Sequence, residues 1–432
     1  MPAIAADPEQ AREFARGVVH RLRGAGHEAL WAGGCVRDEL LGRTPADYDV
    51  ATSALPEQVR NLFGRSRTLA VGAAFGVITV VGPKGSGQVE VTTFRTDAEY
   101  TDGRHPAGVS FSTPADDAQR RDFTINGLFL DPLTGEVHDH VGGRADLEAG
   151  VVRAIGVPAL RFGEDHLRML RAVRFAAGFG FVLEAGTRAA IERFAPQVAT
   201  VSPERVAAEL RAMLSRPGRG RALDLLRDTG LARVVFPELF PPGLAERGPV
   251  TWTDASRTIE ALEDPSLPVA LAVLAEGASA VVPAITSRLR LSNREAESAA
   301  WLRAALDALA GPGQAPDARP WSTVQPWLAH RDAPLLADIL RARATIAGDG
   351  DAATTVAARA LSAWVERCLA RPRVELDPPP LLGGHDLLAA GIRPGPAIGV
   401  MLARVRALQL DGGLASAAEA REWLAANASA AQ

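Results

Sequence analysis

Glycines, an arginine and two aspartates lie close together near the N-terminus. Two consecutive glycines, the second of them Gly34, precede Arg37, and Asp47 and Asp49 follow. Aspartates at positions i and i+2 of a strand point to one side, and Mg²⁺ prefers one or two carboxylates combined with phosphates and water. Paired glycines at a strand-to-helix turn let backbone N–H groups approach a triphosphate. Either feature alone is more typical of a tight turn or of solvated carboxylates, but the combination predicts a metal-dependent nucleotide site.

A third carboxylate, Glu90, lies in the apolar run Gln88–Thr93, where valines alternate with polar residues. A solitary acid in such a strand is costly unless it is paired or bound to a metal. Glu90 could therefore complete a two-metal site, in which one ion activates an attacking hydroxyl and the other holds a leaving pyrophosphate. The alternative is an edge strand that exposes Glu90 to water.

Two further clusters contain arginines. Residues 120–126 contain two arginines, an aspartate and an asparagine, each within helical reach of another, and Arg121 and Asn126 are the candidates among them. The cluster suits binding of ribose and phosphate oxygens but also a capped helix with surface ion pairs. In residues 164–175, Asp165 is followed by a stripe of arginines at three-residue steps. Read alone, this stripe is the solvated face of an amphipathic helix. Its arginines are Arg168, Arg171 and Arg174.

An aspartate and an arginine one helical turn apart also permit base recognition. A carboxylate accepts from an exocyclic amine, and a guanidinium donates to an unprotonated ring nitrogen, which together complement the edges of both C and A. U and G present oxygens in place of the amine. Asp165 and Arg168 are therefore candidates for a protein template that selects C and A.

The elements that must position these residues form an α/β unit over residues 25–152. Strands are expected at 29–32, 48–52, 75–81 and 88–94, with a helix at 56–63, and residues 95–109 are expected to form a mobile loop. After residue 155 the strand signal fades. Helices are expected at 162–175, 188–194, 204–214 and 219–229, followed by helices separated by linker-like stretches at 311–320 and 371–380.

Composition excludes several classes of protein. The 432 residues are 47% hydrophobic and 23% charged, which excludes global disorder, and the net charge of −4 excludes a uniformly basic nucleic-acid binder. All but one of the 47 basic residues are arginine, so phosphate contacts must come mainly from guanidinium groups. No segment has the pattern of a secretory signal or a membrane span, and the two cysteines have no zinc-like spacing. We expect a cytoplasmic protein.

The four motifs are similar to those of the class II tRNA nucleotidyltransferase family, which includes bacterial poly(A) polymerases. The resemblance covers about the first 180 residues in the segments LWAGGCVRDELLGRTPADYDVAT, VEVTTFRTDAEYTDGRHP, RRDFTINGLFLDP and FGEDHLRMLRAVRFA. The segment PLLGGHDLLAAGIRPGPAIGVMLARVRALQLDG resembles the C-terminal tRNA-contacting region of CCA-adding members. Residues 235–375 show little resemblance.

The resemblance implies an α+β protein with a polymerase-β-like nucleotidyltransferase head, followed by an all-helical neck, body and tail. The expected boundaries are 1–152 for the head, 153–232 for the neck, 233–375 for the body and 376–432 for the tail. It implies that Asp47 and Asp49 bind the catalytic Mg²⁺ ions, with Glu90 assigned less directly. Residues 95–106 would form a flexible element that reorients the pocket from CTP to ATP.

The resemblance also assigns the nucleotide contacts. Gly34 and Arg37 would meet the triphosphate, and Arg121 and Asn126 its ribose and phosphates. Asp165 and Arg168 would read the base, with Glu164 holding that pair in position. Arg171 and Arg174 would complete the pocket and its exit toward tRNA.

The expected reaction is the template-independent addition of C, C and A to the 3′ end of tRNA from CTP and ATP. Alternatives are a poly(A) polymerase, a CC-only or A-only enzyme, and a tRNA-binding module with a decayed site. No membrane or protein partner is expected. A phosphohydrolase activity is not expected, because His385-Asp386 lacks a second histidine or distant acid at suitable spacing.

Overall fold

The chain forms two compact units, Met1–Pro237 and Glu238–Gln432. The computed structural model describes residues 7–97, 109–240, 252–310, 316–347 and 352–427. The first unit contains the described strands and all of the residues predicted to do chemistry. The described residues of the second unit form helices and the loops that connect them, with no strands.

A mixed seven-stranded sheet forms the centre of the first unit, in the order β3-β4-β5-β2-β1-β8-β9. Only the β2–β5 pair within it is parallel among the described strands. Two small two-stranded sheets, β6–β7 and β10–β11, flank it. The strands are β1 Ala29–Ala32, β2 Asp49–Thr52, β3 Thr68–Leu69, β4 Val77–Val81, β5 Gln88–Thr93, β6 Arg95–Asp97, β7 Val109–Phe111, β8 Leu128–Leu130, β9 Val137–Asp139, β10 Val151–Val152 and β11 Val182–Leu183.

Eleven helices accompany the strands within the described residues of this unit. Asp7 caps the first of them by accepting the N–H of Gln10 at 3.0 Å, and Pro8 occupies its first turn, where a missing N–H costs nothing. The helices are α1 Pro8–Gly24, α2 Gly34–Leu40, α3 Pro56–Phe63, α4 Pro114–Gln119, α5 Gly143–Ala149, α6 Pro158–Glu164, α7 Leu167–Phe179, α8 Ala185–Phe194, α9 Pro203–Leu214, α10 Arg219–Asp228 and α11 Leu231–Val235.

The sheet buries one face against helices. Val18, Val19 and Leu22 of α1 are buried, and α1 and α3 pack on the central strands. On β5 the buried residues alternate with Gln88 and Glu90, which are exposed. This alternation of period two leaves the face of β5 that carries Gln88 and Glu90 accessible.

Helix α7 organises the helical part of the first unit. It packs against α9 and α10 and contacts the β10–β11 pair. Leu170 and Val173 are completely buried on its inner face. The same helix carries the predicted arginine stripe.

Most predicted elements of the first unit are present, and the α+β class is confirmed. The helix at 56–63 and the strand at 29–32 have the predicted bounds. The mobile-loop interpretation of 95–109 is wrong at its ends, where Arg95–Asp97 pairs with Val109–Phe111 as an antiparallel ribbon. Residues 98–106 of the predicted flexible element lie outside the described residues.

The prediction of one continuous helix over 162–175 is wrong. Helix α6 ends at Glu164, Asp165 is extended with φ −150° and ψ 107°, and α7 begins at Leu167. The Asp165 carboxylate accepts the N–H of Leu167 at 3.0 Å. Aspartate competes in this way with helical backbone hydrogen bonds and therefore favours helix starts over helix interiors.

The second unit buries its apolar residues between helices. Helix α13 is buried at every residue and packs on α12 and α15, and α17 packs on α18. None of the helices in the described part of the chain combines the length and apolarity needed to cross a membrane. The helices are α12 Trp252–Ala261, α13 Leu267–Leu274, α14 Val282–Arg288, α15 Asn293–Ala310, α16 Trp321–Leu328, α17 Ala333–Ile346, α18 Ala352–Leu369, α19 Arg373–Leu376, α20 Gly384–Ala389, α21 Pro396–Leu410 and α22 Ala417–Asn427.

The last three helices have a small core of their own around Leu387, Val405 and Leu424. This core is tied to α16 by polar contacts: Ser322 donates its backbone N–H and its hydroxyl to Asp411 at 2.8 and 2.7 Å. The segment expected to form a tail is therefore a folded helical subassembly within the second unit.

Candidate functional site

The parallel pairing of β2 and β5 brings two acids together. Asp49 lies directly opposite Glu90 in the strand register. Strand β2 begins at Asp49, and Asp47 lies in the bend that precedes it. The prediction that both aspartates lie on one strand is therefore wrong for Asp47. Strand β5 is internal to the sheet, yet Glu90 is exposed because it lies on the open face.

The electrostatics of these acids are repulsive. Burial raises the pKa of Asp49 to about 6, and the negative charges of Asp47 and Glu90 contribute in the same direction, partly opposed by Arg121. Within the described residues, no three His, Cys, Asp or Glu side chains form a ready-made metal site. Two carboxylates with excess negative charge still fit Mg²⁺, which takes its remaining ligands from phosphates and water.

Tyr48, between the two aspartates, anchors this segment from the opposite side. Its buried ring packs against Trp31 with centroids 4.7 Å apart, and its hydroxyl donates to Glu39 at 2.9 Å. Glu39 also accepts from Arg12 at 2.9 Å. The acids therefore extend from a backbone that is fixed by packing and a hydrogen-bond chain.

The glycine turn is shaped by close approach to an arginine. Gly33 has φ +74°, and a Cβ there would lie 2.6 Å from Nη1 of Arg121. Gly34 is the first residue of α2 and has more space. Arg121 is held by Asp117 at 3.1 Å and donates to the Asn126 carbonyl at 3.2 Å. The sequence analysis named Gly34, but the stricter steric requirement falls on Gly33.

A chain of hydrogen bonds connects α2 to α7. Arg37 is buried and donates to the Asn126 side-chain oxygen at 2.6 Å. The Asn126 amide donates to Asp122 at 2.9 Å, and Arg171 donates to the other Asp122 oxygen at 2.8 Å. Burial would raise the pKa of Asp122, but Arg171, Asn126 and Arg168 together lower it to about 2.

The arginine stripe is paired with acids. Arg174 donates to Glu209 at 2.7 Å, and Arg171 lies 3.7 Å from the other oxygen of Glu209. The guanidinium of Arg174 lies 4.3 Å from the centroid of the Phe175 ring. The interpretation of a solvated helix face is therefore wrong for these arginines, which are held between α9 and the residues before α7.

The two template candidates are also engaged. Asp165 accepts from Arg205 at 2.7 Å through the oxygen that does not cap α7. Arg168 is buried, forms an ion pair with Glu164, and donates to the Arg161 carbonyl at 3.2 Å. Glu164 thus holds Arg168, in agreement with its expected positioning role, whereas Asp165 is held by Arg205.

The structure therefore brings predicted residues into two groups. One group is Asp47, Asp49 and Glu90 where the β2–β5 pair begins, which we call the acidic edge or the β2–β5 edge, and the other lies along α7. Arg205 and Glu209, which hold the second group, were missed by the sequence analysis. They are spaced i, i+4 on α9, which the sequence analysis predicted only as a helix at 204–214. Their spacing places them on one face, but nothing in the sequence shows which helix that face meets.

Comparison with known proteins finds relatives for the part of the chain that carries this arrangement. Residues 29–153 match the poly A polymerase head domain, and residues 180–241 match a probable RNA and SrmB-binding site of polymerase A. A Geobacillus thermodenitrificans CCA-adding enzyme is 43% identical over 235 residues, covering 54% of this chain and 55% of the relative. A Lactiplantibacillus plantarum CCA-adding enzyme is 44% identical over 203 residues, covering 47% and 49%. These matches span about half the length of the curated relatives.

Solved structures extend the likeness to the whole fold. The Bacillus stearothermophilus CCA-adding enzyme in complex with CTP is 28% identical, with a TM-score of 0.73 over 97% of this chain and 98% of that one. A Thermotoga maritima CCA-adding enzyme complexed with tRNA shares the fold at 19% identity, with a TM-score of 0.58 over 96% and 95%.

Two segments of the chain are thus similar to poly A polymerase domains, and the relatives and solved structures described above are CCA-adding enzymes.

Proposed function

We propose that this protein adds C, C and A in sequence to the 3′ end of tRNA, using CTP and ATP and no nucleic-acid template. The observation that carries the proposal is that the same unit contains the acidic edge and, separately, Asp165 and Arg168, which together can recognise a base. The 43% identity to CCA-adding enzymes over the N-terminal half supports the same activity. Two buried free cysteines, Cys35 and Cys368, agree with the cytoplasmic location that we expect.

Asp47 and Asp49 are proposed to hold catalytic Mg²⁺, with Glu90 as an adjacent acid. When bound, the metal would stabilise the charge on the attacking hydroxyl and on the leaving pyrophosphate. After burial, the negative charges of Asp47 and Glu90 are the causes that raise the pKa of Asp49. This repulsion supports the assignment, because a bound cation removes it. The β2–β5 pairing holds Asp49 opposite Glu90.

Gly34, Arg37, Arg121 and Asn126 are proposed to form the nucleotide-binding surface next to the acids. Arg121 is the best placed of them electrostatically, because its charge acts on Asp49. Arg37 is buried between Asp38 and Asn126. We therefore assign Arg37 to holding the Asn126 amide in place, which leaves direct triphosphate contact to the backbone of the glycine turn and to Arg121.

Asp165 and Arg168 are proposed to select the base, with Arg171 and Arg174 completing the pocket wall. Both Asp165 oxygens already accept hydrogen bonds, one from Leu167 and one from Arg205. These contacts fix the plane of the carboxylate, and each oxygen retains acceptor capacity for an exocyclic amine. A base that presents an oxygen there leaves buried polar groups unpaired, at about 1–3 kcal/mol each.

The expected domain assignment remains part of this proposal: head 1–152, neck 153–232, body 233–375 and tail 376–432. The folded core around Leu387 and Val405 supports a tail that acts as one piece. We assign tRNA contact to the tail on its sequence resemblance alone.

The test uses the purified chain with tRNA that lacks its 3′-terminal CCA, given CTP, ATP or both with Mg²⁺, and counts the nucleotides added. Two C residues with CTP and one further A with both nucleotides are expected. A long A tract would indicate a poly(A) polymerase, and addition limited to C or to A would indicate a restricted enzyme. No addition at all would favour a tRNA-binding module.

The same assay with UTP and GTP tests the base reader. Asp165→Ala should relax discrimination between CTP and UTP by about tenfold or more, since 1.4 kcal/mol corresponds to a factor of ten. The matched control is Asp228→Ala, an exposed aspartate near the end of α10. Unchanged discrimination in the Asp165→Ala protein would remove Asp165 from base selection.

A further inference from the structure

A cluster of guanidinium groups and aromatic rings surrounds the C-terminal turn of α7. The guanidinium carbons of Arg37 and Arg43 lie 4.6 and 4.9 Å from the centroid of the Phe179 ring. Phe179 stacks on Phe175 with an interplanar angle of 13°, and Arg174 lies over Phe175. Cation–π contacts of this kind hold an arginine in place while leaving its N–H donors available.

Some arginines of this cluster are neutralised by an ion pair with a carboxylate and others are not. Arg37 forms an ion pair with Asp38 at 2.8 Å, and Arg174 forms one with Glu209 at 2.7 Å. Arg43 is exposed and has neither an ion pair nor a side-chain hydrogen bond within the described residues. Its contact with Phe179 is therefore the interaction that orients it.

A second exposed arginine, Arg216, reaches the same turn from the loop between α9 and α10. The loop is pressed against α7, because a Cβ on Gly218 would lie 2.4 Å from the Ala177 carbonyl oxygen. Gly218 also has φ +81°, which favours glycine. The Cδ atom of Arg216 lies 3.8 Å from the position that a Cβ on Gly178 would occupy.

The charge of Arg216 is not cancelled locally. Burial lowers the pKa of Arg37 and of Arg174, and the positive charge of Arg216 lowers both further. Arg216 forms no ion pair in the part of the chain that the structure describes. The end of α7 is thus a surface with an excess of positive charge.

Stabilising the end of α7 does not require these two side chains. Gly180 caps the helix by donating its N–H to the Ala177 carbonyl at 3.1 Å, and Arg221 donates to the Phe181 carbonyl at 2.6 Å. Carbonyl groups at this end are therefore served by other donors. Arg43 and Arg216 are exposed and form no ion pair or side-chain hydrogen bond within the described residues, so their donors are available to an external acceptor.

We propose that Arg43 and Arg216 form a binding site for phosphate groups of the RNA backbone. The proposal rests on the proposed function, which supplies an RNA substrate. Guanidinium groups match phosphate oxygens bidentately. Phe179 holds the Arg43 guanidinium, and the close approach at Gly218 holds the loop that carries Arg216 against α7.

A nucleoside triphosphate is the other source of phosphate. Arg43 follows the C-terminal end of α2, and a triphosphate at the glycine turn would lie at the N-terminal end. Seven helical residues span about 10 Å, which separates the two positions. RNA backbone is therefore the better match for Arg43 and Arg216.

The experiment measures the Kd of fluorescently labelled tRNA lacking CCA for wild type, Arg43→Gln, Arg216→Gln and the double variant across a salt series. Each single change is expected to weaken binding roughly threefold to tenfold. The double variant should reduce the slope of log Kd against log salt by about 1.5, for two lost contacts to RNA phosphates. Arg67→Gln is the matched control, because Arg67 is exposed and lies elsewhere in the same unit.

The KM for CTP should stay within twofold of wild type in both single variants. A raised KM for CTP with unchanged tRNA affinity would place the nucleotide triphosphate at this surface and overturn the proposal. An equal loss in Arg67→Gln would mean that net charge alone matters, which also overturns it. Arg216→Gln remains informative if Arg43→Gln perturbs the Phe179 contact, since equal thermal midpoints for Arg216→Gln and wild type exclude misfolding.

The assay also separates this inference from the proposed function. If wild type extends tRNA but both variants bind it with wild-type affinity and salt slope, only the phosphate site is wrong. If wild type binds tRNA and adds no nucleotide, the proposed reaction fails, while a weakened variant still supports the phosphate site.

Discussion

Two aspartates in the first unit, Asp49 and Asp122, are both largely removed from water but have opposite electrostatic surroundings. Burial, Asp47 and Glu90 raise the pKa of Asp49 to about 6. Burial acts on Asp122 in the same direction, yet Arg171, Asn126 and Arg168 lower its pKa to about 2. The difference comes from the neighbours and not from the depth of burial.

This contrast separates two ways of building a functional region. Arg121 only partly offsets the negative charge of the acids at the β2–β5 edge, so a bound cation would stabilise their arrangement. The residues along α7 neutralise each other through Arg171, Arg174 and Glu209. That region is pre-organised without a ligand, which suits the reading of a base.

The largest expected effect comes from removing the acidic edge. Asp47→Asn and Asp49→Asn should each lower nucleotide transfer by about a thousandfold or more, because a catalytic metal contributes several kcal/mol to transition-state stabilisation. Labelled tRNA lacking CCA gives the rate in a single-turnover assay, and its Kd should stay within a few fold of wild type.

Glu148→Gln is the control, because it removes one acidic charge from an exposed ion pair with Arg144. Retention of more than a tenth of wild-type activity in Asp49→Asn would show that the acidic edge does not need its charge.

The second effect is on the paired region. Arg171→Met removes the main counter-charge of Asp122, and the loss of one partner from a buried pair costs about 3–5 kcal/mol of unfolding free energy. Denaturant unfolding measures the change. The double variant Arg171→Met with Asp122→Asn should recover more than half of it, because the uncompensated carboxylate is then gone. A double variant that is no more stable than the single one would show that Arg171 acts through packing on Phe175 and not through charge.

The two regions also differ in how far the sequence predicted them. Hydrophobic alternation in β5 and the proline at the start of α3 are local signals, and the bounds of these elements followed from them. Asp47 and Asp49 were predicted because they lie two residues apart, and Glu90 because it is a solitary acid in an apolar strand. The excess of negative charge is visible in the residue types themselves.

The pairing of the α7 region could not be predicted from local signals. Arg205 is 40 residues from Asp165, and Arg171 is 49 residues from Asp122. Which helix faces which depends on tertiary packing, and a stripe of arginines has the same sequence pattern whether water or carboxylates face it. The break at Asp165 was missed for a related reason. The Asp165 carboxylate caps α7 by accepting the N–H of Leu167, and this hydrogen bond does not change the hydrophobic pattern of the sequence.

The smallest expected effect is on stability and not on activity, and it tests the contrast between Asp49 and Asp122. In the absence of divalent metal, Asp49→Asn should unfold with a free energy about 1–3 kcal/mol higher than wild type at pH 7.5, since one pKa unit corresponds to about 1.4 kcal/mol. The reason is that the folded state holds the ionised carboxylate against the charges of Asp47 and Glu90. Urea unfolding of both proteins in chelator from pH 4 to pH 8 measures the difference.

The sign follows from the direction of the pKa change. The folded-state pKa of Asp49 lies above its ordinary value of 3.8, so its favourable contribution is complete below pH 3.8 and is lost as the pH rises through about 6. Asparagine stays neutral, so the two stabilities should converge near pH 4 and separate above pH 6. Saturating Mg²⁺ should narrow the gap at pH 7.5, because the ion binds the folded wild type more tightly than the variant. A gap that is independent of pH, or that widens with Mg²⁺, would mean that charge repulsion at the β2–β5 edge does not distinguish Asp49 from Asp122.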